Sequence, residues 1–130
     1  AGSRRGRDLS LVAYGTMALK CLEAAELLAA EGIDAEVVDL RSIVPWDKAT
    51  VLASVARTGR ALVVSEAHHT AGFGAEIAAT IAEAAFDQLD APVRRLSGLD
   101  TPIPAHPLLE AEYLPDEKKI AAAARELVGW

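Results

Sequence analysis

Strand-like and helix-like runs alternate along this chain, and the alternation predicts an α/β fold of three layers, α/β/α, around a mostly parallel sheet. Three observations carry that prediction. Four runs of strand length, the fourth more polar than the others, alternate with four runs whose apolar residues have helical spacing. The third of them, Ala61-Leu62-Val63-Val64, is apolar without alternation, as expected of a strand covered on both faces. Hydrophobic residues make up 52% of the chain but aromatic residues only 5%, so Ala, Val, Leu and Ile fill the interior, as where helices pack closely on a sheet.

The first strand, Leu9 to Tyr14, ends at Gly15. Residues 16–31 then read as a helix, with Met17, Leu19, Leu22, Ala25, Leu28 and Ala29 toward one side, Thr16 as a cap and Gly32 as the stop. Ala35 to Leu40 is a second strand. Pro45-Trp46-Asp47 opens a helix capped by Asp47, with Val51, Leu52 and Val55 on its apolar side. Residues 60–65 form the third strand. Residues 74–89 read as a helix with Ile77, Ile81, Ala84 and Ala85 inward. Residues 92–97 form a fourth strand, whose Arg94 and Arg95 suit a sheet edge. Residues 98–115 are irregular and contain Pro102, Pro104, Pro107 and Pro115; such a stretch in a compact domain points to an interface or a functional segment. Residues 116–128 form a closing helix with Ile120, Ala124 and Leu127 inward. The first and third strands are the most apolar and are therefore central, which gives the order second, first, third, fourth. Residues 1–7 read as an arm and residues 8–130 as one domain.

Composition excludes several function classes. The net charge is −6, and Arg4, Arg5 and Arg7 are the only basic run, so nucleic-acid binding is not expected. No apolar run approaches the roughly 20 residues that span a membrane, and a cytoplasmic location is the default. Cys21 is the single cysteine; it reads as a small buried hydrophobe rather than a reactive thiol.

The segment Ser65-Glu66-Ala67-His68-His69-Thr70 gathers chemistry-bearing residues beside a Gly-rich turn, yet none of the mechanisms it suggests is complete. Ser65 lacks the G-x-S-x-G elbow of a hydrolase nucleophile. His68 and His69 are adjacent, so their side chains diverge instead of converging on a metal; His106 stands apart. Gly72-Phe73-Gly74 is followed by Glu76, which would repel a phosphate at the helix start. Asp39 is a lone acid on the second strand. No catalytic, cofactor-binding or metal-binding residue is assigned.

A longer series of segments is more specific. Leu11-Val12-Ala13-Tyr14-Gly15-Thr16, Ala35-Glu36-Val37-Val38-Asp39-Leu40-Arg41, Pro45-Trp46-Asp47, Arg57-Thr58-Gly59-Arg60, Gly72-Phe73-Gly74-Ala75-Glu76-Ile77, Asp100-Thr101-Pro102-Ile103-Pro104 and Tyr113-Leu114-Pro115 follow one another in order. Together they resemble the C-terminal domain of the beta subunit of 2-oxo acid dehydrogenases, the decarboxylating first component of pyruvate and branched-chain complexes, a domain of the transketolase C-terminal type. The resemblance covers residues 8–130. Transketolase and deoxyxylulose phosphate synthase domains are alternatives within the type, and a free-standing ligand-binding or regulatory α/β domain is the alternative outside it.

The resemblance implies a parent enzyme that uses thiamine diphosphate and magnesium, neither bound by this domain alone. It implies an alpha subunit and a second beta subunit in an alpha2-beta2 heterotetramer, and docking to the subunit-binding domain of a dihydrolipoyl acyltransferase. An extra antiparallel edge strand is expected before Asp8, cut or distorted here because residues 1–7 match it poorly. Gly72, Phe73 and Gly74 are the expected subunit-interface turn. Gly129 and Trp130 are the expected acyltransferase contact, unless Trp130 folds back onto its own domain as a plug.

Overall fold

The computed structural model describes residues 4–14, 17–40, 46–65, 71–96 and 115–130. The elements are β1 (Leu9–Tyr14), α1 (Met17–Ala29), β2 (Ala35–Leu40), α2 (Lys48–Thr58), β3 (Ala61–Val64), α3 (Ala71–Ala84), β4 (Arg94–Leu96) and α4 (Glu117–Val128), with a 3-10 turn at Phe86–Gln88. The four strands form one parallel sheet in the order β2-β1-β3-β4, as the apolarity of β1 and β3 requires.

Side-chain alternation along the strands divides the interior into two cores. Leu9, Leu11 and Ala13 of β1, with Val37, Leu62 and Val64, meet α1 and α4 on one face. Val12 of β1, with Val38, Ala61 and Val63, meets Val51 and Val55 of α2 and Ile77 and Ile81 of α3 on the other. All four β3 residues are buried, so this strand is covered on both sides.

Two helix readings need correction. The buried stripe of α1 is Met17, Ala18, Cys21, Ala24, Ala25 and Leu28, whereas Leu19 is 63% exposed and Ala29 is also exposed. The large Leu19 and Leu22 drew the sequence reading one position off. The sheet face selects small residues that let the helix approach it. The third helix begins at Ala71, so Gly72-Phe73-Gly74 lies inside its first turn and is not a turn preceding it. Its end also comes earlier than expected: Ala84 is exposed, Ala85 is buried, and the chain tightens into the 3-10 turn.

Caps fix the other helix ends. Asp47 accepts from the Thr50 N–H at 3.1 Å, and Asp116 accepts from the Lys119 N–H at 2.7 Å. After α1, the Glu31 and Gly32 N–H groups donate back to Leu28 and Ala29, and Arg125 of α4 grips the Glu31 carboxylate with bonds of 2.6 to 2.9 Å. The expected edge strand is present as one antiparallel bridge, Arg4 to Val37, so Arg4 is not part of a loose arm.

Candidate interaction site

The structure leaves one end of the domain with an open apolar groove of about 700 Å³. Ala78 and Ala82 of α3, Phe86 and Leu89 after it, Val93 before β4, and Trp130 beyond α4 line it. Local bonding explains how these residues meet. The α4 helix runs back along the sheet, and the Arg60 Nε donates to the Leu127 carbonyl at 3.2 Å, fixing the helix end beside β3. The Gly129 N–H closes the last turn on Arg125 at 3.0 Å, and the Trp130 N–H donates to Leu127 at 3.3 Å. On the opposite wall, the Asp90 N–H donates to the Gly59 carbonyl at 2.7 Å, holding the segment after the 3-10 turn against the start of β3.

Two aromatic rings stand out of this groove. Phe86 is 73% exposed and Trp130 is 72% exposed. Trp130 is therefore not a plug in its own core; it is a wall of an open surface. One acidic side chain lines the groove: Asp90, 64% exposed and 3.9 Å from Arg60. Across the α4 end, Arg94 pairs with Glu126 at 3.2 Å. An open apolar groove with two exposed rings suits a protein surface carrying an apolar anchor.

The other expected residues are placed less fully. His68, His69 and His106 lie outside the described residues, as do the segments that follow the four strands at 15–16, 41–45, 66–70 and 97–114. Gly72, Phe73 and Gly74 open α3, on the helix whose later turns form the groove floor. Cys21 is fully buried. Burial first, and then the negative charge of Asp39, push its thiol up to about 12, which leaves it without nucleophilic thiolate near neutrality. Among the described residues, no group of three or more His, Cys, Asp or Glu could hold a metal ion, and no helix is long and apolar enough to cross a membrane.

Sequence reading missed Phe86. It follows the buried Ala85 at the point where the helical period ends, and no pattern in the sequence marks that break. It also missed Glu36, although a carboxylate inside the apolar run Ala35-Glu36-Val37-Val38 was a visible anomaly.

Comparison with known proteins settles the family. The family model described as "Transketolase, C-terminal domain" matches residues 2–120. The chain belongs to this family. It is 47% identical over 131 residues to 2-oxoisovalerate dehydrogenase subunit beta 2, mitochondrial, of Arabidopsis thaliana, covering 98% of this chain and 35% of that protein. It is 47% identical over 123 residues to the acetoin:2,6-dichlorophenolindophenol oxidoreductase subunit beta of Cupriavidus necator, covering 95% of this chain and 36% of that one. Among solved structures, a split gene transketolase described as an inactive beta4 tetramer superimposes with a TM-score of 0.79 at 30% identity, over 97% of this chain and 41% of that chain. The chain spans about a third of the length of the curated relatives it matches.

Proposed function

We propose that this chain is the C-terminal domain of the beta subunit of a thiamine diphosphate-dependent 2-oxo acid dehydrogenase, and that its own work is assembly and docking. The observation that carries this reading is the alignment of beta subunits over nearly the whole chain. At 47% identity they include the 2-oxoisovalerate and acetoin proteins, and at 43% the pyruvate dehydrogenase E1 component subunit beta-2 of Oryza sativa subsp. japonica. The transketolase alternative is supported at 30%, a weaker likeness.

In this reading the parent enzyme decarboxylates a 2-oxo acid and passes the acyl group to a lipoyl group in the cytoplasm. Thiamine diphosphate, with its magnesium, supplies the electron sink for that chemistry. Among the described residues no group of three or more His, Cys, Asp or Glu could hold the metal, and no step is assigned to them. Their contribution is to hold surfaces in place. The start of α3, with Gly72, Phe73 and Gly74, meets the alpha subunit or the second beta subunit of an alpha2-beta2 heterotetramer. The groove beside Gly129 and Trp130 receives the subunit-binding domain of the acyltransferase. The exposed rings support the second assignment. Covering two aromatic side chains of roughly 150–250 Å² each, about three-quarters exposed, is worth roughly 3–5 kcal/mol per ring as an upper bound.

The test uses the full beta subunit with its alpha partner, beside the 130-residue chain alone. The chain supplied with thiamine diphosphate, magnesium and 2-oxo acids is expected to show no decarboxylation, and the assembled enzyme is expected to show it. Phe86→Ala with Trp130→Ala should weaken acyltransferase binding by about ten-fold or more while free decarboxylation stays intact. Turnover by the chain alone, or an assembled enzyme inert toward every 2-oxo acid, would overturn the reading. Unchanged acyltransferase binding would remove the docking assignment alone.

A further inference from the structure

Glu36 is a charged residue inside the sheet. It sits in β2 between Ala35 and Val37 and is 5% exposed. Its carboxylate accepts from the Gly6 backbone N–H at 3.2 Å, from the Arg57 guanidinium at 2.5 Å and from the Ser54 hydroxyl. Burial pushes the carboxyl up, but the donors from Arg57, Ser54 and Gly6 together outweigh it and hold the group below the usual glutamate range. One carboxylate thus joins three pieces of chain: the N-terminal arm, the edge strand and α2.

The arm itself has an unusual attachment. Arg4 and Val37 exchange backbone hydrogen bonds of 3.2 and 2.7 Å. The Arg4 guanidinium donates to the Ala35 carbonyl at 2.6 Å and pairs with Asp34 at 3.3 Å. Gly6 lies so close to β2 that a Cβ there would sit 2.4 Å from the Ala35 carbonyl carbon. Yet residues 4–7 read Arg-Arg-Gly-Arg and give no side chain to either apolar core. Two clefts, of about 260 and 250 Å³, lie along the arm, and Arg5, Glu36 and Arg57 line both. The arm is bound tightly at points and packed loosely between them.

The rest of the domain is held differently. Central strands are buried on both faces and open only when the whole domain unfolds, whereas a segment with polar anchors and no apolar burial can open by itself. We propose that residues 4–7 are a detachable strap on the edge of β2, with Glu36 as its latch. The strap leaves and returns as a unit from an otherwise intact domain, and its departure uncovers the Val37 N–H and C=O on the sheet edge. Glu36 is a positioning residue in this device: it acts through the Gly6 N–H and the Arg57 guanidinium.

Native-state hydrogen exchange on the 130-residue chain tests the strap. In the wild-type chain the Gly6 and Val37 amides should exchange through an opening that low denaturant does not promote, while the Val12 and Val63 amides follow global unfolding. Glu36→Gln removes the charge from the latch. It should speed exchange at Gly6 and Val37 about ten-fold relative to Val12 and Val63. Gly6→Ala reaches the same state without touching the carboxylate, since its methyl group lifts the strap from Ala35; Val37 should lose protection there too, which keeps the test valid if Glu36→Gln does not fold. Gly6 and Val37 amides that exchange only with Val63, or a Val37 amide unmoved by Gly6→Ala, would overturn the proposal.

Discussion

Ser10, Ser54 and Thr58 form a buried hydroxyl cluster between β1 and α2, and its energetics can be worked out bond by bond. The Ser10 Oγ lies 2.6 Å from the Ser54 Oγ and 2.8 Å from the Thr58 Oγ1, and all three residues are under 5% exposed. With the Ser54 hydroxyl donated to Glu36 and the Thr58 hydroxyl to the Arg60 carbonyl at 3.0 Å, the Ser10 proton alone serves the two contacts, so it makes one of them at a time. Ser10→Ala removes that bond and should cost about 1 kcal/mol. Thr58→Val keeps the volume and removes the bond to Arg60, while Ser10 still donates to Ser54 and the Arg60 carbonyl still accepts from the Ser10 N–H at 2.8 Å, so the loss is again about 1 kcal/mol. The double variant loses both bonds and should cost about 2 kcal/mol, the sum of the two. Urea unfolding at neutral pH, with unchanged m-values, reads all three. A Ser10→Ala variant as stable as wild type, or a double variant no less stable than either single one, would show that these short distances carry no net stabilisation.

Two further predictions concern the helices. Cys21 should resist thiol reagents in the native chain and react fully in denaturant; rapid native labelling would contradict its burial. Because its folded pKa is raised from the ordinary 9.0 to about 12, the protonated thiol contributes stability that is fully present below pH 9 and is lost as pH rises toward 12, so Cys21→Ala should flatten the alkaline decline measured by unfolding midpoints. Asp116→Ala removes the cap on the Lys119 N–H and should cost about 1 kcal/mol, recovered in large part by Asp116→Ser; an unchanged denaturation midpoint would mean that the start of α4 frays at no cost.

How much of this was legible in the sequence follows from which forces set each feature. Strand order was legible because burial on two faces demands apolar strands, and β1 and β3 are the most apolar of the four. The Asp47 cap was legible for a similar reason: capping depends on neighbours three residues away. The face of α1 was misread because sequence patterns weight large side chains, while the sheet selects Ala18, Cys21 and Ala24 for closeness. The same bias hid the hydroxyl cluster, since Ser54 and Thr58 sit on the buried side of α2 and look like solvent-facing residues until Ser10 is placed opposite them by the β1–α2 packing. The groove was hidden for another reason. Trp130 was visible as an aromatic residue in need of cover, but Phe86 joins it across 44 residues only once Arg60 has fixed the end of α4 beside β3. Neither ring alone makes a concave surface. Surfaces built by two distant segments depend on tertiary geometry, so a sequence can name one wall and still leave the site unseen.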